Sequence, residues 1–283
     1  MKKIIVFAII FIFCWFLTPF LKYYLTAIFT NLALPDWSIG VLVAVVSWFI
    51  TFVLSVLLFL KPLVLQDLSK EQEFILADPY EFPQLDVESL QRYTEDIESI
   101  GFVKIIDFKI IDFKISTQQV SFARIFLHPQ HQCWAEVSQI CLHTKSMPII
   151  STIMSVFDSG YSLSSSDRKL SGLLFGRNFI IRHPQILWMS HPGITQNKLL
   201  EIHLQRRRKV ARTLNIKIAE VTNDSLDVYC DFQRELRLKR KQYFQRKNIA
   251  VGLVESLLFD VNPKQEWMGE YGDAVATKMR SGR

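Results

Sequence analysis

Charge is missing from two long stretches of this chain, residues 4–21 and 37–60, although 33 Lys or Arg and 27 Asp or Glu stand among its 283 residues. An uncharged helix of about 23 residues is about 35 Å long, enough for a hydrocarbon core of about 30 Å. The two stretches predict a transmembrane hairpin over residues 1–62, with helices at about 4–21 and 38–60. No A-x-A cleavage site follows the first stretch, which argues against a removed signal peptide. Lys2, Lys3, Lys61 and Lys70 flank the outer ends of the hairpin, and only Lys22 lies in its loop. By the positive-inside rule both termini are then cytoplasmic. The absence of any intramembrane charge excludes the usual material of a transporter or proton path. An anchor is the expected role.

Motifs that would name a reaction are absent too. The chain has no C-x-x-C, no P-loop, no G-x-G-x-x-G and no G-x-S-x-G elbow. Of its 4 cysteines, Cys133 and Cys141 would share one strand, too far apart to bridge, and Cys14 and Cys230 stand alone. His128, His131 and Cys133 are close in sequence, but their spacing matches no structural zinc site, and they read as a polar turn. No metal and no cofactor is expected.

Several features are present instead. Gly40, Ala44, Ser47, Thr51 and Ser55 recur at helical spacing, a stripe that would let one membrane helix pack closely on another or on a second copy. After a linker over 63–81, residues 82–218 carry alternating signals of an α+β domain with a mainly antiparallel sheet flanked by helices. Asp86 can cap a first helix, with Leu85 and Leu90 as its staple and Gly101 as its stop. Strands follow from Phe102 and at Ser121–His128, Cys133–Ile140, Ile149–Asp158, Tyr161–Ser166 and Gln185–His191. Thr195 can cap a second helix, to Leu214. The tandem Lys104–Phe108 and Lys109–Phe113 has an odd period, so a bulge between the copies is expected. A long C-terminal helix is expected over 222–259 and a disordered tail over 260–283.

Charge is strongly polarised along the chain. Asp67 to Glu98 carries a net of −8, and Arg206 to Lys247 a net of +8. Two clusters dominate the basic part: Arg206, Arg207, Arg208 and Lys209, then Arg237, Lys239, Arg240 and Lys241. Either could meet anionic lipid headgroups or a protein partner; a solvated face or internal pairing is the plain alternative, and nucleic acid is the least favoured partner. His191 and Gly193 precede a helix N-terminus, where backbone N–H groups favour an anion.

The stretches Ala123–Pro129, Cys133–Glu136, Trp188–Pro192 and His203–Arg207, with Gly101-Phe102, resemble a family of cyanobacterial-type two-helix membrane proteins. The resemblance covers roughly residues 82–255 and implies no activity. It implies an integral protein of a bacterial plasma membrane or thylakoid. The expected function is a membrane-anchored cytoplasmic binding or regulatory (adaptor) module. The alternative is a tethered enzyme, a hydrolase, using Asp158, His183 and His191.

Overall fold

The computed structural model describes residues 18–26, 36–68, 72–112, 120–141, 147–168, 182–221, 226–261 and 266–281. The chain divides into two compact units, residues 1–67 and 68–283.

In the first unit, helix α1 (18–26) precedes helix α2 (Asp36–Leu68), whose last residue belongs to the second unit. Most of the expected span at 4–21 lies outside the described residues. Among the described residues no helix is long and apolar enough to cross a membrane. That finding overturns the transmembrane hairpin, the integral-membrane assignment and the orientation drawn from it. The uncharged run does not form a separate span closed by Lys61-Pro62; α2 continues to Leu68 and includes Lys61, Gln66 and Asp67. The small-residue stripe is also not one packed face. Val43, Ser47 and Thr51 are buried, each four residues on, while Gly40 and Ala44 are exposed. Ser47 donates to the Val43 carbonyl at 2.6 Å, and the Thr18 hydroxyl donates to Thr51 at 3.4 Å. The Ser55 side chain lies outside the described residues.

The second unit is built on an eight-stranded sheet whose spatial order is its sequence order. Strands β1 (Gln72–Leu76), β2 (Val103–Asp112), β3 (Val120–His128), β4 (Cys133–Cys141), β5 (Ile150–Val156) and β6 (Ser162–Ser166) run antiparallel in succession. Strand β7 (Ile186–Ser190) joins β6 in parallel, and β8 (Glu266–Trp267) closes the edge antiparallel to β7. The expected linker therefore contains the end of α2, the edge strand β1 and a short 3-10 turn at Pro79–Glu81. A bulge does interrupt the tandem repeat, but it falls between Lys104 and Ile106, inside the first copy. That placement lets Ile106, Phe108 and Ile110 share one face through the rest of the strand.

Helix α3 (Val87–Ser99) starts where the Asp86 carboxylate accepts the Ser89 amide at 3.0 Å. It stops at Gly101, whose φ of 96° suits only glycine, and a Cβ there would sit 3.1 Å from the His128 ring. Helix α4 (Gln196–Leu214) is capped by Thr195 and ends on Asn215 in the left-handed region. Together α3 and α4 cover one face of the sheet, where Leu90, Ile97, Phe122, Phe126, Ile153 and Leu199 form the largest apolar cluster. Helix α5 (Leu226–Arg246) contributes Tyr229 and Phe232 to a cluster with Phe108, Ile125, Trp134 and Met154 on other sheet side chains. The Trp134 and Phe232 rings stack there at 5.4 Å.

The single expected helix over 222–259 is two. Helix α5 ends at Arg246, and α6 (Ile249–Val261) begins after Asn248, whose side chain accepts the Ala250 amide at 2.9 Å. An Asn cap of this kind favours a fresh start over a continuous rod. The expected disordered tail also folds in part, as β8 and helix α7 (Gly269–Ser281). Tyr271, 3% exposed, packs with Phe157, Leu163, Leu187, Met189 and Val210 in a third cluster. Gly269 is pressed so close to the Pro184 carbonyl that a Cβ would lie 1.9 Å from its oxygen.

The Tyr271 hydroxyl is buried without a hydrogen-bond partner. Replacing Tyr271 by Phe should therefore raise stability by about 0.5–1 kcal/mol, because a desolvated, unpaired hydroxyl is removed and the ring is kept. Thermal unfolding of the two chains checks this. A lower midpoint for the Phe variant would show that the hydroxyl is satisfied.

Candidate functional site

Four consecutive cations, Arg206-Arg207-Arg208-Lys209, cannot share one side of a helix that turns 100° per residue. Helix α4 splits them. Arg207 turns toward the sheet and is 7% exposed, whereas Arg206, Arg208 and Lys209 stay on the outer side with Arg212 one turn on. The inner and outer sides of α4 then make two different polar sites.

On the inner side, His203 is completely buried, with Nε2 2.8 Å from Ser155 Oγ and Nδ1 2.8 Å from Ser165 Oγ. Arg207 donates to the His131 carbonyl and, at 3.2 Å, to Ser155 Oγ. Burial, with the Arg207 charge beside it, pulls His203 down from 6.5 to about 3, so its ring is neutral. A neutral imidazole donates through one nitrogen and accepts through the other, and two hydroxyls can satisfy both. The set has the residue types of a nucleophile and base, but Ser155 and Ser165 are each 0% exposed. Both hydroxyls are closed to solvent, and the network ties α4 to β5 and β6.

The outer side of α4 forms one wall of a cleft of about 760 Å³. Arg206, Arg208, Lys209 and Arg212 line it with Gln205 and His191, and the apolar Met189 and Ile202 lie in its wall. A single carboxylate among the described residues, Glu266, also lines it, and it pairs with Arg206. Among the described residues no carboxylate pairs with Arg208, Lys209 or Arg212. Burial lowers the His191 pKa below 6.5, against the pull of Glu266 and with the push of Arg206. The His191 Nε2 and Arg206 Nε atoms are buried without a hydrogen-bond partner.

A second cleft, of about 520 Å³, lies at the N-terminus of α4 and includes Gly193, Arg92, Arg168 and Tyr93. It mixes these with Asp86 and Asp96, and the Thr195 hydroxyl already accepts the Lys198 amide at 3.4 Å. The expected pairing of His191 with Gly193 is therefore corrected: the two residues line different clefts, because the chain turns between the strand end and the helix start.

Two residues of the other basic cluster are tied within the fold. Arg237 donates to the Leu68 carbonyl at 3.3 Å, and Lys239 bonds the Gly160 carbonyl at 3.1 Å and pairs with Glu235 at 2.7 Å. Arg240 and Lys241 are half-buried on the same helix, and burial lowers the Arg240 pKa. The alternative enzyme residues are not assembled. Asp158 accepts the Lys217 amide at 3.2 Å, His183 packs its ring against Tyr243, and only His191 lines either cleft. His128 and His131 stack at 4.2 Å, and burial raises the neighbouring Cys133 thiol to about 12. Among the described residues no group of three or more His, Cys, Asp or Glu could hold a metal ion.

Sequence reasoning found Arg206, Arg208, Lys209 and His191 but missed Arg212 and Glu266. Arg212 stands four residues after Arg208 and was legible by helical spacing. Glu266 was not, because a pairing between β7 and β8 brings it from 60 residues away. Comparison with protein-family models, with curated proteins and with solved structures finds no match to this chain.

Proposed function

We propose that residues 68–283 form a binding module of regulatory or adaptor type, and that its basic cleft takes an anionic group. The observation that supports this reading is the gathering of four cations against one carboxylate in a single concave site. Like charges on adjacent turns repel and cost stability, so their convergence favours an anion that neutralises them. The buried His–Ser network beneath gives α4 a fixed seat, which holds the outer side chains at a defined spacing.

Replacing Arg208, Lys209 and Arg212 together by Gln should weaken retention on phosphocellulose so that elution moves to much lower salt. All three are exposed, so each change should alter stability by no more than about 0.5 kcal/mol. Retention of the parent chain should itself fall steeply with salt, since the Debye length shrinks from about 8 Å at physiological ionic strength to about 3 Å at 1 M. Equal elution of parent and triple variant would refute the cleft as the anion site.

A further inference from the structure

The contact between Glu266 and Arg206 is made through one guanidinium nitrogen, Nη2, and one carboxylate oxygen. Arg206 Nε, the other nitrogen of that edge, is buried and has no partner. An arginine fork is satisfied when two parallel N–H groups meet two oxygens. Here half of the edge is left open. In the same cleft His191 Nε2 is likewise buried without a partner. A neutral imidazole carrying its proton on Nε2 can donate to an oxyanion. Glu266 sits on a strand of only two residues, and its side chain is 41% exposed. The strand itself is held through Trp267, which lies under Arg182 at 3.5 Å and donates to the His183 carbonyl at 3.3 Å. The Glu266 side chain can therefore leave Arg206 by rotation while the strand stays paired.

Charge sets the class of group that would replace it. One carboxylate answers one of four cations, and Arg208, Lys209 and Arg212 remain without an acidic partner among the described residues. A phosphate monoester carries about −1.5 to −2 charge near neutral pH and has more acceptor oxygens than a carboxylate. Among the described residues no Phe, Tyr or Trp lines the cleft, so the stacked bases of single-stranded nucleic acid would find no platform there. Resting on the reading of this cleft as an anion site, we propose that its ligand is a phosphate group bearing more than one negative charge. It binds by displacing the Glu266 carboxylate from Arg206, so that Glu266 acts as a built-in competitor.

Titration calorimetry of the full chain with pyrophosphate, and with acetate as the singly charged control, tests the idea. Pyrophosphate should bind and acetate should not. Glu266→Gln should tighten pyrophosphate binding by about threefold to fivefold, the scale of one partly exposed ion pair. In an Arg206→Gln background the same change at position 266 should have no effect, because the contact that competes is already gone. Unchanged thermal midpoints confirm that the Gln variants keep the fold. Flotation with phosphatidylcholine vesicles, with and without phosphatidylinositol 4-phosphate, separates the sources of the phosphate. Flotation only with the phosphoinositide, competed by pyrophosphate, supports a lipid headgroup; pyrophosphate binding without flotation supports a free phosphate. If pyrophosphate binds the parent chain but Glu266→Gln leaves the affinity unchanged or lowers it, the competitor role is wrong and the anion cleft stands. If neither chain binds pyrophosphate, the anion cleft itself falls.

Discussion

Replacing Asp107 by Ala should lower the stability of the chain by about 3–5 kcal/mol, the range expected when one member of a buried ion pair is removed. Asp107 and Arg124 face each other across β2 and β3, with side chains 9% and 8% exposed. Arg124 donates through Nε and Nη2 to both carboxylate oxygens, at 2.7 and 2.8 Å, and through Nη1 to Thr94 of α3 at 2.8 Å. Lys104 adds a second cation at 2.9 Å. Burial pushes the Asp107 pKa up, but the hydrogen bonds from Arg124 and Lys104 outweigh it and hold the carboxyl below its usual 3.8. A carboxylate with a depressed folded pKa contributes stability that is fully present above its unfolded value of about 4 and is lost as pH falls from there through the lowered folded value. Without it, the Arg124 guanidinium is left buried with only a hydroxyl. The double variant Asp107→Ala/Arg124→Leu should recover a large part of the loss, since the uncompensated charge is gone. Urea unfolding of the three chains measures this. A loss of less than about 1 kcal/mol for the single variant would mean that water reaches the pair.

His203 should make the protein acid-sensitive well above the range where carboxylates titrate. Its ring stays neutral to about 3 in the folded chain, whereas an unfolded histidine takes up a proton near 6.5. The unfolded state therefore binds more protons below about 6.5, and stability falls by about 1.4 kcal/mol for each pH unit below that point. Other histidines add to the slope, because burial also lowers His128, His131, His183 and His191. The difference between parent and variant isolates the contribution of His203. Replacing His203 by Leu should cost about 2–4 kcal/mol at pH 7 by leaving the Ser165 hydroxyl unpaired in the core and Ser155 with Arg207 as its one remaining side-chain partner. It should also flatten the dependence of stability on pH between about 6 and 4 by about 1.4 kcal/mol per unit. Parallel slopes for parent and Leu variant would show that His203 is charged in the fold.

Local signals carried well where one element declares itself in consecutive residues. Asp86 with Leu85 and Leu90, and Thr195 ahead of α4, mark helix starts because a cap and a staple are short-range chemistry. The alternation in β3 and β4 was legible for the same reason. The candidate cleft was half legible: helical spacing places Arg208, Lys209 and Arg212 on one side of α4, while the partner wall of His191 and Glu266 depends on strand pairing. The uncharged runs misled. Hydropathy counts residues but does not see that α2 runs on to Leu68, and among the described residues no helix meets the demands of a membrane crossing. The C-terminal segment misled in the other direction, because α7 lacks a strong apolar period and folds through Tyr271 and the close approach of Gly269 to Pro184.

By itself the sequence determined the helix caps, the strands from Phe102 to His191, the α+β class of residues 82–218 and the concentration of cations on α4. These follow from propensities and periods that act over a few residues. Tertiary structure alone decided which cations face solvent together, that Arg207 and His203 are buried partners of serines on β5 and β6, and that Arg237 and Lys239 of the second basic cluster are spent on backbone carbonyls. It also decided that β8 completes the sheet and brings Glu266 to Arg206, and that α7 packs behind it through Tyr271. Each of these rests on contacts between residues far apart in the chain, and no local preference encodes such a distance.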